Sequence, residues 1–156
     1  MGTPQAISVF PSGKYLTFRI ARQDFAMDAS RVRAILPAQE LSLLSRSIAD
    51  TRPLLGAFGE AAWLEKWTCG FAALQGRAFP VIDLRAKLGI AYGSPGRQPC
   101  IVVVEVATRL GPQLAGFVAD RISEIVQARE RDFSRGKLRA AGRPRQVLDP
   151  DILLSE

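Results

Sequence analysis

Histidine is absent from the 156-residue chain, and that gap removes much of the usual hydrolytic and metal chemistry. With no imidazole there is no Ser-His-Asp or Cys-His relay, no His-bearing zinc or haem site, and no side chain that ordinarily titrates near neutral pH. Cysteine is scarce as well, since Cys69 and Cys100 are too few for a four-Cys metal site. Met1 to Ser12 lacks the basic start and apolar run of a secretory signal, so the sequence predicts a cytoplasmic protein with reduced thiols. Long apolar runs are missing too. The longest purely aliphatic one, Ile101 to Val104, falls far short of the roughly 20 residues that span a bilayer, and no direct membrane insertion is expected.

What is there suits a folded domain. Hydrophobic residues make up 47% of the chain and charged ones 23%, enough apolar surface for a core and too much for a disordered segment. Tyr15 to Ile20 alternates, with Leu16, Phe18 and Ile20 on one face and Thr17 and Arg19 on the other, as a half-buried strand does. Phe25 to Met27 and Val32 to Leu36 read as its partners in a small β-meander. Leu41, Leu44 and Ile48 recur at helical spacing, which predicts a helix over Ala38 to Asp50 with Pro53 as its stop. Ala57 to Trp67 fits either a short helix or a strand.

The stretch from Cys69 is the most informative. Two apolar runs, Phe71–Leu74 and Ala78–Leu84, flank the turn Gln75-Gly76-Arg77, and Asp83 is placed to cap a one-turn helix that Gly89 ends. Pro80, lacking an N–H, belongs at an edge or bulge. Cys100 to Val106 reads as a buried strand, and Leu114 to Val126 as one long or two short strands around Asp120. From Arg129 to Arg145, seven basic side chains are interrupted by Glu130, Asp132, Gly136, Gly142 and Pro144, the pattern of a solvated loop. Val147 to Leu154 is apolar again and is expected to dock as a strand or short helix.

Several features invite a chemical reading and have a plainer one. Asp83 and Asp120 are candidate paired carboxylates for acid/base work, yet cap and turn roles fit them better. Cys69 without a base reads as a small packed hydrophobe rather than a nucleophile. Trp63 and Trp67 are either core or an anchor for another protein. Ser12-Gly13-Lys14 lacks the first Gly and the final Ser or Thr of a phosphate-binding loop and is set aside. No enzyme activity, metal or cofactor is expected.

Read together, the blocks resemble a known family. Gly70-Phe71-Ala72-Ala73-Leu74-Gln75-Gly76, then Phe79-Pro80-Val81-Ile82-Asp83-Leu84-Arg85 and Leu88-Gly89, look like the signature of CheW-like chemotaxis coupling proteins, Gly-Val-x-Asn-Leu-Arg-Gly followed by Pro-Val-x-Asp-Leu-Arg and Leu-Gly. Tyr15 to Phe18 resembles the family's first strand, Val32 to Ile35 its Val-x-Glu-Ile block, and Gly116 to Ile122 its Gly-Leu-x-Val-Asp-x-Val. The similarity runs, with gaps, from Tyr15 to Leu154.

The resemblance implies a mainly all-β protein. It would have two SH3-like five-stranded β-barrels sharing a hydrophobic core, with one or two short helices inserted, in one CheW-like domain over residues 1–156. The first barrel is expected over about 15–92 and the second over about 99–154, with exchanged terminal strands. It implies a non-enzymatic cytoplasmic adaptor at receptor arrays, whose partners are the regulatory domain of a CheA-type histidine kinase and the cytoplasmic tip of a chemoreceptor. The expected partner-binding residues are Val32, Ala34, Ile35, Ala73, Leu74, Gln75 and Gly76. Three of them depart from the family pattern: Ala34 replaces an acid, Ala73 an Asn and Gln75 an Arg, which removes a bidentate, always-charged donor. The segment between Ile35 and Gly70 is longer than usual, and the stretch after Val126 reads as shorter, by as much as a strand.

A nucleic-acid-binding basic barrel is the alternative, on the strength of an isoelectric point near 10.0 and the Arg-rich 129–145 stretch. Against it, Phe133 is the only aromatic side chain in that stretch, so a base-stacking platform is missing.

Overall fold

The computed structural model describes residues 12–40, 42–43, 67–90, 99–108 and 111–153. Twelve strands form two six-stranded sheets. The strands are β1 Gly13–Ile20, β2 Gln23–Asp28, β3 Val32–Pro37, β4 Ser42–Leu43, β5 Thr68–Leu74, β6 Arg77–Ile82, β7 Cys100–Thr108, β8 Gly111–Ala119, β9 Arg121–Ala128, β10 Phe133–Ser134, β11 Lys137–Leu138 and β12 Arg145–Val147. Two short helices, α1 Leu84–Lys87 and α2 Pro150–Leu153, lie among the described residues. The first sheet runs β10-β11-β12-β2-β1-β9 and the second β3-β7-β8-β6-β5-β4.

Both sheets curl, and the connections show why. β9 and β10 end the first sheet's order, yet only the four residues 129–132 join them. Five Cα steps reach at most about 18 Å, whereas the outer strands of a flat six-stranded sheet lie about 24 Å apart. The second sheet repeats the device, since β3 and β4 end its order and are joined by residues 38–41. Each sheet therefore rolls into a small barrel with its own interior. Tyr15, Ala26, Val126, Ala128 and Leu138 fill the first, and Ala72, Phe79, Val81, Ile101, Val103 and Leu114 the second.

Alternation along the strands then builds a third apolar layer between the barrels. Leu16, Phe18, Ile20, Phe25 and Met27 from the first meet Ile82, Val102, Val104, Val106 and Phe117 from the second. The rings of Phe18 and Phe117 lie 5.2 Å apart across this seam. β7 is buried over nearly its whole length because Val102, Val104 and Val106 face the seam while Ile101 and Val103 face the barrel interior. The same logic corrects the reading of β1 as half-buried: Thr17 is fully buried inside the first barrel. Its hydroxyl donates to the Glu124 carbonyl at 2.7 Å and accepts from the Glu124 N–H at 3.0 Å. That repairs the ladder where a bulge breaks the β1–β9 register.

Other expectations are also revised. β3 does not continue a meander with β2; it crosses to the second sheet and pairs with β7. Ala38–Glu40 form one 3-10 turn and Ser42–Leu43 a strand paired with Phe71 and Gly70, where a helix was expected; Leu41 and residues 44–50 lie outside those described, as do residues 57–66. Pairing with the open edge of β5 outweighs the helical spacing there. Arg129 to Arg145 is not a bare loop, because it contains β10, β11 and the first residue of β12, with Leu138 fully buried and the Phe133 ring 5.2 Å from that of Tyr15. The strand thought missing after Val126 is present. Each sheet has six strands where five were expected, counting the two-residue strands β10 and β11 in the first and β4 in the second.

The hairpin signature reads as the sequence suggested. Leu74 pairs with Arg77 across Gln75 (φ 52°) and Gly76 (φ 80°), two successive left-handed residues of the kind a two-residue hairpin requires. Pro80 sits where β6 has only β5 beside it, and the parallel ladder with β8 starts one residue later at Val81. Gly116 of β8 allows the closest approach in the second barrel: a Cβ there would meet Ile101 Cγ2 at 2.9 Å and Phe79 Cε1 at 3.1 Å.

Candidate functional site

The chain changes barrel twice, at Ala29–Arg31 between β2 and β3 and at Asp120 between β8 and β9. Both crossings are clamped by charge. At the second, the buried Asp120 carboxylate pairs with the Arg85 guanidinium and accepts the Ala21 N–H at 2.7 Å, while the Asp120 N–H donates to the Arg19 carbonyl at 2.9 Å. One side chain thus ties α1 and the β1–β2 turn to the β8–β9 junction. At the first crossing, Arg31 Nη2 donates to the Glu105 carbonyl at 2.7 Å and to Asp151 Oδ1 at 2.6 Å. Asp151 also accepts the Ala107 N–H at 3.0 Å, which pins α2 to β7. The Arg31 hydrogen bond, opposed by burial and helped by Ala107, holds the Asp151 carboxyl below the usual carboxylate range.

These contacts settle the chemistry of the candidate carboxylates. Asp83 accepts the Ala86 N–H at 3.3 Å as the cap of α1, and Asp120 is fully engaged at the junction. Cys69 donates to the Val81 carbonyl at 3.4 Å, and burial, reinforced by the charge of Asp83, pushes its thiol up to about 11. Almost none of it is thiolate at neutral pH, so it is a poor nucleophile. Among the described residues no three His, Cys, Asp or Glu side chains gather as a metal site.

What the seam does offer is apolar surface. Val32, Trp67, Phe71, Leu88, Ile90 and Ile122 are half-buried and pack on the shared core from its rim, and Ile125, paired with Leu16 across β1–β9, is 60% exposed. The sequence singled out Val32 and Trp67 from this rim. Phe71, Leu88 and Ile122 entered only as letters of the family pattern and Ile90 and Ile125 not at all, because only the two-barrel packing reveals which apolar positions lie at the margin of the seam.

The residues expected to bind partners divide by orientation. Ile35 (45% exposed), Ala73, Gln75 and Gly76 face solvent. Ala34 and Leu74 point into the second barrel, where both pack on the Phe79 cluster, and Val32 packs on the seam. In the sheet order β3 is separated from β5 by β7, β8 and β6, so Ile35 and the Gln75 turn lie on different strands of the barrel wall and not on adjacent ones.

Comparison with known proteins agrees with this architecture. Residues 58–154 match the CheW-like domain. A probable chemotaxis protein CheW of Rhizobium etli is 26% identical over 151 residues, covering 90% of this chain and 86% of that protein. The chemotaxis protein CheW of Rhizobium meliloti is 25% identical over 142 residues, covering 82% and 78%. In fold, the chain is similar to the scaffolding protein TtCheW from Thermoanaerobacter tengcongensis, with a TM-score of 0.66 at 19% identity, over 91% of this chain and 92% of that one. With the family's domain matched over more than half of this chain and the two-barrel fold in place, the chain belongs to the CheW-like family.

Proposed function

We propose that this protein is a non-enzymatic adaptor of chemotaxis-type signalling, which works in the cytoplasm and joins a CheA-type histidine kinase, through its regulatory domain, to the cytoplasmic tip of a chemoreceptor. The observation that carries the reading is the rim of half-buried apolar side chains along the seam between two barrels. A shallow apolar margin on short strands suits docking of helices or strand edges from another protein, not enclosure of a small substrate. The candidate carboxylates and the Cys69 thiol are already committed to structural contacts, which also favours binding over catalysis. No helix among the described residues is long and apolar enough to cross a membrane.

The partner surface proposed for the second barrel consists of Ile35, Ala73, Gln75 and Gly76, which touch, and Val32, Ala34 and Leu74, which shape the wall behind them. A titration of the full chain against a kinase regulatory domain and, separately, a receptor-tip fragment tests the reading. Binding to at least one is expected, and Ala73→Asp should weaken it roughly tenfold by placing a charge in a desolvated contact while the circular dichroism spectrum stays native. Absence of binding to both would overturn the adaptor reading, and unchanged affinity of the variant would move the site elsewhere.

A further inference from the structure

The positive charge of the molecule is concentrated in one small structure. Residues 129–145 contribute seven Lys and Arg against two acids, and without them the remaining chain has 14 Lys plus Arg against 13 Asp plus Glu. Nearly the whole net charge of +6 therefore belongs to the segment that builds the β10–β11 hairpin. Its orientation is fixed from within: Phe133 packs on Tyr15 and Leu138 is fully buried, so Ser134 and Lys137, which pair with each other, face outward. The tip is Arg135 (φ 53°) and Gly136 (φ 77°), a second tight hairpin. Arg143 and Arg145 are held at its base by Asp24 and Glu124. Arg129, Arg131, Arg135, Lys137 and Arg139 are exposed and form no ion pair with any described carboxylate.

We infer that this hairpin is a binding surface for an acidic protein segment, separate from the seam and the Gln75 turn. Three observations select that partner over other polyanions. The hairpin exposes no aromatic ring for base stacking, because its one Phe is packed inward. It exposes no large apolar side chain to enter a lipid headgroup layer, since Leu138 is buried. Glu130 stands exposed between Arg129 and Arg131, where a uniformly phosphate-charged surface would be repelled and a protein segment of mixed charge would not. Four of these five cations are Arg, whose planar fork grips carboxylates two oxygens at a time.

The test uses the full chain and a labelled acidic peptide of mixed charge, a Glu-Glu-Lys repeat, with phosphatidylserine vesicles and a DNA duplex as parallel probes. Peptide binding should be measurable at about 50 mM salt and largely lost at about 300 mM, as expected for exposed charges. The triple variant Arg131→Glu, Arg135→Glu, Lys137→Glu should lose roughly tenfold or more in affinity, and the corresponding Gln variant should lose less. Reversing Arg22, Arg77 and Arg121 instead, exposed cations outside the hairpin, should change affinity less than twofold or so. Equal losses from the two triple variants would overturn the inference, because net charge and not the hairpin would then be bound. Tighter binding to vesicles or to the duplex than to the peptide at the same salt would overturn it as well. The outcome does not depend on the adaptor reading, since none of these probes is a kinase or receptor fragment.

Discussion

The two barrels share a seam and are built on opposite terms. The second is formed from one unbroken stretch, residues 32–119, and Ala72, Phe79, Val81, Ile101, Val103 and Leu114 pack its interior. The first is assembled from residues 13–28 and 121–147, and its interior admits Thr17, while Arg145 is buried against the Ala140 carbonyl at 3.0 Å. Among the described residues three ion pairs, Arg19–Asp24, Arg143–Asp24 and Arg145–Glu124, knit it together, against one, Arg33–Glu105, in the second. Packing of local strands suffices where loop closure is cheap. Where about ninety residues intervene, directional polar contacts fix the register that hydrophobic burial alone leaves loose.

The sharpest way to break this arrangement is at the junction that serves both barrels. Asp120→Ala leaves the Arg85 guanidinium and the Ala21 N–H without their buried partner and should cost about 3–5 kcal/mol, read as a fall in the urea midpoint. A loss under about 1 kcal/mol would mean that the barrels do not depend on that link. Next come the two interiors: Phe79→Ala and Leu138→Ala, both at fully buried positions, should cost roughly 3–5 and 2–5 kcal/mol. Hydrogen exchange should show β5–β8 opening first in the former and β10–β12 in the latter; the same opening order in both variants would make the barrels one cooperative unit. Acid is a gentler probe. Burial alone would raise the Asp24 carboxyl, but Arg19 and Arg143 outweigh it and hold it below its ordinary range, as Arg31 holds Asp151. As pH falls the unfolded chain takes up these protons first, so stability present above about pH 4 drains away below it, by of order 1 kcal/mol for such partly exposed pairs. Protection should fade in β1 and β2 before β7 and β8. The smallest effect is a gain: Gln75→Asn, in a left-handed turn position, should add about 0.5 kcal/mol without altering the first barrel.

Much of this was legible in the residues. Alternation and turn chemistry located β1, β2, β3, β7 and the β5–β6 hairpin, and Asp83 and Asp120 fell into the cap and junction roles that their spacing suggests. What strand periodicity does not encode is which sheet a strand joins. β3 looks like the third strand of a meander and crosses over, because its partner β7 lies some seventy residues ahead. Ser42–Leu43 fall inside the span that the spacing of Leu41, Leu44 and Ile48 marks as helical and instead pair with β5, since an open sheet edge is a stronger claim than propensity. The Arg-rich stretch reads as loop because its two-residue strands are too short to show a period; only Phe133 and Leu138 hint that it has an inside. The exposed and inward members of the expected partner surface could not be told apart for a related reason. Ala34 and Leu74 are apolar on a strand with two possible faces, and the barrel decides which is in.

The placement of residues 32–119 inside the first barrel's sequence also sets an order of events at the ribosome. β1 and β2 emerge first, with no β9 or β12 to flank them. The second barrel has all six of its strands once Ala119 is clear, and by closing it brings Val32 and Ala119 into one compact body, which shortens the gap the first barrel must bridge. The strands β1 and β2 are thus translated before the second barrel and completed after it, and the basic hairpin becomes a fixed shape only once that barrel has closed.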